Sequence, residues 1–201
     1  MPDIPKYLGL PGRRISCTKS PGWCYTFTMT IQRGFSEAIK PGITEVFWLT
    51  AQRSDFESDR DREIYYNRWA GGYLEHYPQW VYTAQEDGVV LGYLLGCPDS
   101  TQALSVLDFP GLDLFTSFFA DYPAHLHINV HPQGQGKGIG RKLIEAYCRD
   151  LKHEGVPGVH LITTAEAKNP GFYRAVGFTF EHPKPGKGYT LLFMGRSLAE
   201  V

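Results

Sequence analysis

HLHINVHPQGQGKGIGRKLIEAY, residues 125–147, passes from a strand pattern through a glycine-rich loop into a helix pattern. Leu126–Val130 alternates apolar and polar side chains, which is typical of a half-buried strand. Pro132–Lys137 is a polar, glycine-rich turn. From Gly138 to His153 apolar residues recur at helical spacing, with charged residues on the opposite face. The stretch therefore predicts a strand, a tight turn and an amphipathic helix in succession.

The loop and the start of this helix are predicted to bind an anion. Gly136, Gly138 and Gly140 remove side chains where a ligand must approach the backbone closely. Free N–H groups and the positive end of the helix dipole favour an anion such as a pyrophosphate, and Lys137 and Arg141 add positive charge. Neither the GxGxxG dinucleotide fingerprint nor the GxxxxGK[ST] phosphate loop is present. A turn that merely needs its glycines is the alternative.

Two phrases resemble the signatures of the GNAT acetyltransferase superfamily. QGKGIG, residues 135–140, fits the pattern Q/R-x-x-G-x-G/A. NPGFYRAVGF, residues 169–178, is similar to the second signature, an Asn followed by FYxxxGF. Two signatures in the right order are more specific than either alone. The glycines alone would also fit a nucleotide-binding fold, but the second phrase argues against that fold.

A closer resemblance covers YPAHLHINVHPQGQGKGIG, residues 122–140, together with GVPGVHL, residues 155–161. Both are similar to bacterial acetyltransferases related to the acetyltransferase-like C-terminal domain of the O-GlcNAc hydrolase. Those relatives often carry Asp in the phrase HLHIDLLP, where this chain has Asn129. Asn forms hydrogen bonds but does not act as a base at neutral pH, so any role of that Asp does not carry over.

The resemblance implies an α/β fold of the α+β kind, with a mixed, largely antiparallel sheet of about six to seven strands that is splayed in the middle and flanked by helices. Acetyl-CoA is the implied co-substrate, with its pantetheine arm in the splay and its pyrophosphate on the loop amides. The predicted cofactor-binding residues are Ile128, Val130, Gln135, Gly136, Lys137, Gly138, Ile139, Gly140, Arg141, Asn169 and Tyr173. Asn169 is alternatively a plain N-cap, since Asn before Pro is good capping chemistry.

The implied chemistry is direct attack of a primary amine on the thioester, without an acyl-enzyme. Tyr173 stands at the family position of the general acid for the departing thiolate, with aromatic packing as the alternative. His127 is the predicted base, because the ordinary pKa of imidazole suits proton transfer near neutral pH. Further candidates are His125, Asp121 and Glu166, and half-buried structural histidines are the alternative. No metal is expected, since the histidines lack a third ligand at suitable spacing.

The acceptor is expected to be a small-molecule or peptide amine, which the sequence does not name. A GNAT domain that binds acyl-CoA or a protein partner without turnover is the alternative function. A homodimer stays open, because relatives in the superfamily are often dimers.

Composition and charge exclude several classes of protein. Hydrophobic residues make up 42% and charged residues 20%, which indicates a packed core rather than disorder. The net charge of −1 argues against a broad nucleic-acid or membrane-surface footprint. No apolar run reaches the roughly 18 residues of a membrane span, and the N-terminus lacks a signal-peptide pattern, so a cytoplasmic location is expected. A Cys17–Cys24 disulfide stays open as an alternative.

Residues 1–24 are predicted to form an irregular arm, and residues 25–201 a single domain. Before residue 98, the other predicted elements are a strand at Tyr25–Gln32, a helix around Ile43–Leu49, a helix at Asp59–Tyr77 bent or weakened by Gly71–Gly72, and a hairpin of Gln79–Gln85 and Val89–Cys97. Residues 98–122 are predicted to be partly helical. After them we predict a strand at Val159–Thr164, a short helix at Asn169–Val176 and a strand at Tyr189–Met194. The charge run at 55–63 is interpreted as a solvated helix start. Core packing is the favoured interpretation of the aromatic residues at 65–69 and 115–119, with the wall of the acceptor groove as the alternative.

Overall fold

A seven-stranded sheet forms the centre of the computed structural model, which describes residues 29–186 and 188–199. In chain order its strands are β1 (Thr30–Arg33), β2 (Val81–Glu86), β3 (Val89–Cys97), β4 (Ala124–Val130), β5 (Gly158–Thr164), β6 (Phe180–Pro185) and β7 (Thr190–Ser197). Their order across the sheet is β1-β2-β3-β4-β5-β7-β6. The β4–β5 pair is parallel and the other pairs are antiparallel, which confirms the predicted mixed, largely antiparallel sheet.

The sheet opens between β4 and β5. In the described chain these strands share only the register pairs Ala124↔Val159 and His125↔His160. Beyond them β4 stays paired with β3 as far as Val130, and β5 stays paired with β7 as far as Thr164. Because each strand keeps its outer neighbour and loses its inner one, a gap opens in the middle of the sheet, as predicted.

The helices cover this sheet. They are α1 (Lys40–Thr50), α2 (Asp59–Tyr66), a π-helical turn (Asn67–Gly71), α3 (Gly72–His76), α4 (Ser100–Val106), α5 (Ile139–His153) and α6 (Pro170–Ala175), with 3-10 turns at Pro78–Trp80, Leu112–Phe118 and Pro132–Gly134. The segment 98–122 is thus partly helical, as predicted. Among the described residues, no helix is both long and apolar enough to cross a membrane.

The amphipathic pattern of α5 is confirmed, and a tyrosine fixes the helix on the sheet. Its apolar face is buried from Ile139 to Leu151. The Tyr147 hydroxyl lies 2.9 Å from the carbonyl oxygens of both Cys97 and His125, which are opposite one another in β3 and β4. Gly96 makes room for the ring, because a Cβ there would lie 2.5 Å from it.

Two glycines explain the π-helical turn inside the predicted helix at Asp59–Tyr77. The amide of Gly72 donates to the carbonyl of Asn67, five residues earlier, which widens the helix by one residue. A Cβ on Gly72 would lie 3.1 Å from that carbonyl, and one on Gly71 would lie 2.2 Å from the Asn67 side chain. The expected bend is therefore a change of hydrogen-bond register that only small residues permit.

The predicted hairpin is confirmed, although its first strand begins at Val81 rather than Gln79 because a 3-10 turn precedes it. Asp87 and Gly88 both have positive φ, at 51° and 77°, as a type I′ hairpin turn requires. Strand β6 was not predicted, because its sequence contains two prolines. Proline is tolerated there since β6 is an edge strand that pairs with β7 alone in the described sheet.

Some predictions lie outside the described residues. They are the arm at 1–24, the Cys17–Cys24 pairing and the first residues of the strand predicted at Tyr25–Gln32, of which β1 represents the C-terminal part.

Candidate active site

A cavity of about 460 Å³ occupies the gap between β4 and β5. Its floor and sides come from both separated strands and from α6. Helices α1 and α2, the π-helical turn and the 98–122 segment cover it from the other side. The lining residues are Phe47, Thr50, Ala51, Gln52, Arg53, Tyr65, Trp69, Phe109, Pro110, Leu126, His127, Ile128, Asn129, Leu161, Ile162, Thr163, Thr164, Ala167, Asn169, Tyr173 and Leu191.

The glycine-rich loop ends in left-handed backbone at the start of α5. Gly136 and Gly138 have φ of 75° and 77°, a conformation that favours glycine. The first hydrogen bond of the helix runs from the Lys142 amide to the Gly138 carbonyl, so the amides before Lys142 point out of the helix end. This end carries the positive pole of the helix dipole and is suited to an anion.

The predicted loop residues differ in what they can offer a ligand. Gln135 and Lys137 are exposed, and the Gln135 Nε2 donates to the Val130 carbonyl at 3.4 Å. The Ile139 side chain is buried in the core, so its amide alone is available. The Arg141 guanidinium donates to the Ala175 carbonyl at 3.0 Å, which ties α5 to the end of α6.

A close approach of α5 and α6 brings the two signature phrases together. A Cβ on Gly140 would lie 3.0 Å from Cζ of Phe172, so the glycine lets α6 pack against the start of α5. Spatial proximity of the two phrases is therefore a consequence of packing at this glycine.

Asn169 and Tyr173 lie in the cavity wall with Thr163. Asn169 occupies the N-cap position of α6, but its side chain caps no amide in the described helix. Instead the Thr163 hydroxyl donates to Asn169 Oδ1 at 2.9 Å. Burial raises the pKa of Tyr173 to about 12, partly offset by a hydrogen bond with Asn169. Tyr173 therefore keeps its proton at neutral pH and can donate it.

His127 faces the cavity and is connected to Asn129. The Asn129 Nδ2 donates to the Tyr93 hydroxyl at 2.7 Å and lies 3.1 Å from His127 Nε2. Because an amide nitrogen only donates, Nε2 is the accepting nitrogen of this pair. Burial lowers the pKa of His127 to about 4, so the imidazole is neutral at pH 7.

The other candidate bases lie outside the cavity lining as the structure describes it. His125 is fully buried, with ring nitrogens 2.7 Å from Ser100 Oγ and 2.9 Å from the Tyr73 hydroxyl, so it is a structural histidine. Asp121 is exposed, and the Glu166 carboxylate accepts from the Thr190 amide. Of the four candidates, His127 alone lines the described cavity.

Several lining residues were missed or left undecided by sequence reasoning. Thr163 carried no signal beyond its place in a strand, and residues 50–53 lie at the end of a helix with no recognisable phrase. Tyr65 and Trp69 do line the cavity, whereas Phe115 and Phe119 are buried in the core. The charge run forms a solvated helix start, as predicted, where the Ser58 hydroxyl caps the Asp61 amide.

Comparison with known proteins agrees with this geometry. Residues 41–178 match the family model for the acetyltransferase (GNAT) family. The structure of yncA from Salmonella typhimurium, which contains its cofactor acetyl-CoA, is 26% identical with a TM-score of 0.55, covering 86% of this chain and 95% of that one. The structure of SsHAT is 24% identical with a TM-score of 0.67, covering 86% of this chain and all of that one. The ribosomal-protein-S18-alanine N-acetyltransferase of Escherichia coli shares the fold at 15% identity, with a TM-score of 0.56 over 87% of this chain and 96% of that one.

The fold, with its cavity in a splayed sheet, and the family match together define an acyltransferase. The protein belongs to the GNAT family of acetyltransferases.

Proposed function

We propose that the protein is an acetyl-CoA-dependent N-acetyltransferase that moves an acetyl group to a primary amine by direct attack. The observation that carries the proposal is the cavity between β4 and β5, with Tyr173 and Asn169 in its wall and the start of α5 beside it. Family membership and the acetyl-CoA in the yncA structure support the same donor.

In this proposal, the donor half comprises the free edge of β4, Thr163, Asn169 and Tyr173 in the cavity lining, together with the loop at 134–141, which adjoins α6 at Gly140 and lies outside that lining. The pantetheine arm lies along β4 near Ile128 and Val130, whose backbone faces the gap. The pyrophosphate meets the amides of the loop and helix start, where partial positive charge is fixed in place. Lys137 and Arg141 flank this position.

The reaction needs a neutral amine, and a proton for the sulfur. The amine nitrogen attacks the carbonyl carbon of the thioester, the C–S bond breaks, and Tyr173 donates its proton to the thiolate. His127 Nε2 already accepts from Asn129, so the proton that the amine nitrogen loses passes to water, or to Nε2 once Asn129 has released it. Thr163 positions Asn169 and thereby the hydroxyl of Tyr173.

Several expectations from the sequence stay predictions. These are the resemblance to acetyltransferases related to the C-terminal domain of the O-GlcNAc hydrolase, the single domain at 25–201, the cytoplasmic location, the absence of a metal and the homodimer. Within the described ranges, no group of three or more His, Cys, Asp or Glu is arranged to hold a metal ion.

Two measurements test the function together. Acetyl-CoA at one hundred times its Kd should stabilise the folded state by about 2.7 kcal/mol and raise Tm, whereas ATP at the same concentration should not. Free-thiol release should then appear with at least one class of amine among small amines, amino acids, amino sugars and peptide lysines. Absence of a Tm shift at millimolar acetyl-CoA would refute the donor, and binding without release from any class would favour a domain without turnover.

A further inference from the structure

Four aromatic rings face the donor half across the cavity. This aromatic wall consists of Phe47, Tyr65, Trp69 and Phe109. The Trp69 ring lies 5.4 Å from Phe109 and 5.9 Å from the imidazole of His127, measured between ring centroids. The Phe47 and Tyr65 rings are 5.8 Å apart. The wall therefore places aromatic rings close to the one candidate base that lines the described cavity.

The charged side chains of the cavity lining do not favour a cationic acceptor. Among the described residues, no Asp or Glu lines the cavity, and Arg53 is its one charged side chain. The Arg53 guanidinium holds both carboxylate oxygens of Asp61, with Nη1 3.0 Å from Oδ1, and Nε donates to the Asp55 carbonyl. An ammonium group that entered the cavity would meet an arginine rather than a carboxylate.

The energetic consequence follows from the cost of burying charge. An alkylammonium loses much of its hydration free energy when it is buried without an ionic partner. Contact with an aromatic face returns only a small part of that loss. An alkylamine would also have to lose its proton before it attacks, and His127, with a pKa of about 4, is a poor acceptor for that proton. A neutral amine avoids both difficulties.

We infer that the acceptor is an uncharged, weakly basic aromatic amine, whose ring packs on the aromatic wall and whose amino group lies near His127. The inference rests on the proposed function, because it names the acceptor class of the same site. An aromatic amine is neutral at pH 7, and its flat ring matches the faces of Trp69 and Tyr65.

The step balances without a stronger base. The nitrogen lone pair of the arylamine forms the new bond to the carbonyl carbon, and the C–S bond breaks with its electron pair on sulfur. Tyr173 protonates the sulfur. The nitrogen, now positively charged and strongly acidic, gives its proton to water, or to His127 Nε2 once Asn129 has released it, and a proton from water replaces the one lost by Tyr173. The products are an N-aryl acetamide and free CoA.

Three probe amines separate the effect of an aromatic ring from the effect of the amine's basicity. Aniline is aromatic and neutral at pH 7, benzylamine is aromatic and protonated, and cyclohexylamine is protonated without an aromatic ring. With acetyl-CoA saturating, we expect kcat/KM for aniline at pH 7 to exceed both others at least tenfold. Between pH 6.5 and 8.5 the rate with aniline should stay nearly constant, whereas the alkylamine rates should rise about tenfold per pH unit with the neutral fraction.

A pair of tryptophan variants tests where the ring binds. Trp69→Leu should raise KM for aniline at least fivefold and leave the Kd of acetyl-CoA unchanged. Trp48→Leu is the matched control, because Trp48 packs behind Tyr65 and does not line the described cavity. An equal effect of both variants on KM would overturn the placement of the ring.

The outcomes distinguish this inference from the proposed function. Faster release with cyclohexylamine or benzylamine, or release from peptide lysines and amino sugars but not from aniline, would overturn the inference and leave the N-acetyltransferase standing. No release with any amine would overturn both.

Discussion

The donor half and the aromatic wall of the cavity are made of different chemical groups. In the donor half a ligand meets backbone amides, a strand edge and the short network of Thr163, Asn169 and Tyr173. The aromatic wall offers ring faces from four separate elements and no described carboxylate. The first half thus offers fixed polar groups, whereas the second offers mainly apolar ring surface.

This difference teaches how each half constrains the chain. A ligand can contact the loop backbone only where no side chain stands in the way. Gly136 and Gly138 meet this condition, and their left-handed φ favours glycine as well. A ring face can be supplied from several directions by any aromatic residue of suitable size. Four changes test this contrast, in order of decreasing effect.

The first prediction concerns the acid of the donor half. Tyr173→Phe removes the proton donor and should lower kcat by about 10²-fold or more, the usual contribution of general acid catalysis, while the Kd of acetyl-CoA changes less than about threefold. Tyr189→Phe, at an exposed tyrosine, should leave both values unchanged. Equal turnover in the Tyr173 variant would remove this residue from the mechanism.

The second prediction concerns the point where β4 and β5 meet, which supports both halves. His125 and His160 are opposite one another and fully buried, and burial lowers the pKa of His160 to about 4 and that of His125 further below its ordinary value. Both are neutral in the folded state, whereas the unfolded chain binds protons below about pH 6.5. Stability is therefore complete above that pH and falls as the pH drops towards 4.

Urea denaturation at several pH values measures this effect. Between pH 7 and 4.5 we expect a loss of roughly 2–3 kcal/mol from His160 alone. His160→Leu should flatten the profile, whereas His153→Gln, at an exposed histidine, should not. An unchanged slope in the His160 variant would contradict the assignment.

The third prediction uses the two ends of α5. Gly138→Val and Gly155→Val both force a branched residue into left-handed backbone, at φ of 77° and 73°, with no described neighbour within 4 Å of the new Cβ. Each should destabilise the fold by about 1–2 kcal/mol. Gly138 alone lies at the anion site, so only its variant should weaken acetyl-CoA binding, by about tenfold. Isothermal titration of both variants decides this, and equal affinities would argue against a pyrophosphate there.

The smallest expected effect is at Thr163, as a positioning residue. Thr163→Val keeps the shape and removes one hydrogen bond, worth about 1 kcal/mol, so kcat should fall about threefold to fivefold without a change in acceptor KM. Thr163→Ser keeps the hydroxyl and should restore kcat. Failure of the serine variant to restore it would indicate that packing, and not the bond to Asn169, matters at this position.

The strand, turn and helix next to the donor half could be predicted from local sequence, and the placement of the aromatic wall could not. The loop before α5 and the apolar face of α5 were visible because turn and helix patterns depend on near neighbours. Asn169 lines the cavity, but its bond to Thr163 could not be predicted, since it depends on how α6 packs against β5. Strand β6 was missed, because its prolines fit only an edge position that the sheet order defines.

Local sequence was enough to predict the strand, loop and helix around residues 125–147 and to reveal the family signatures, since these depend on short-range backbone preferences and glycine spacing. Only the tertiary structure decided that Trp69 and Phe109 stand across the gap from Tyr173, and that His125 belongs to the core while His127 faces the cavity. The physical reason is that the early cessation of β4–β5 pairing creates the gap. The lining of that gap is then set by long-range packing of α1, α2 and the 98–122 segment.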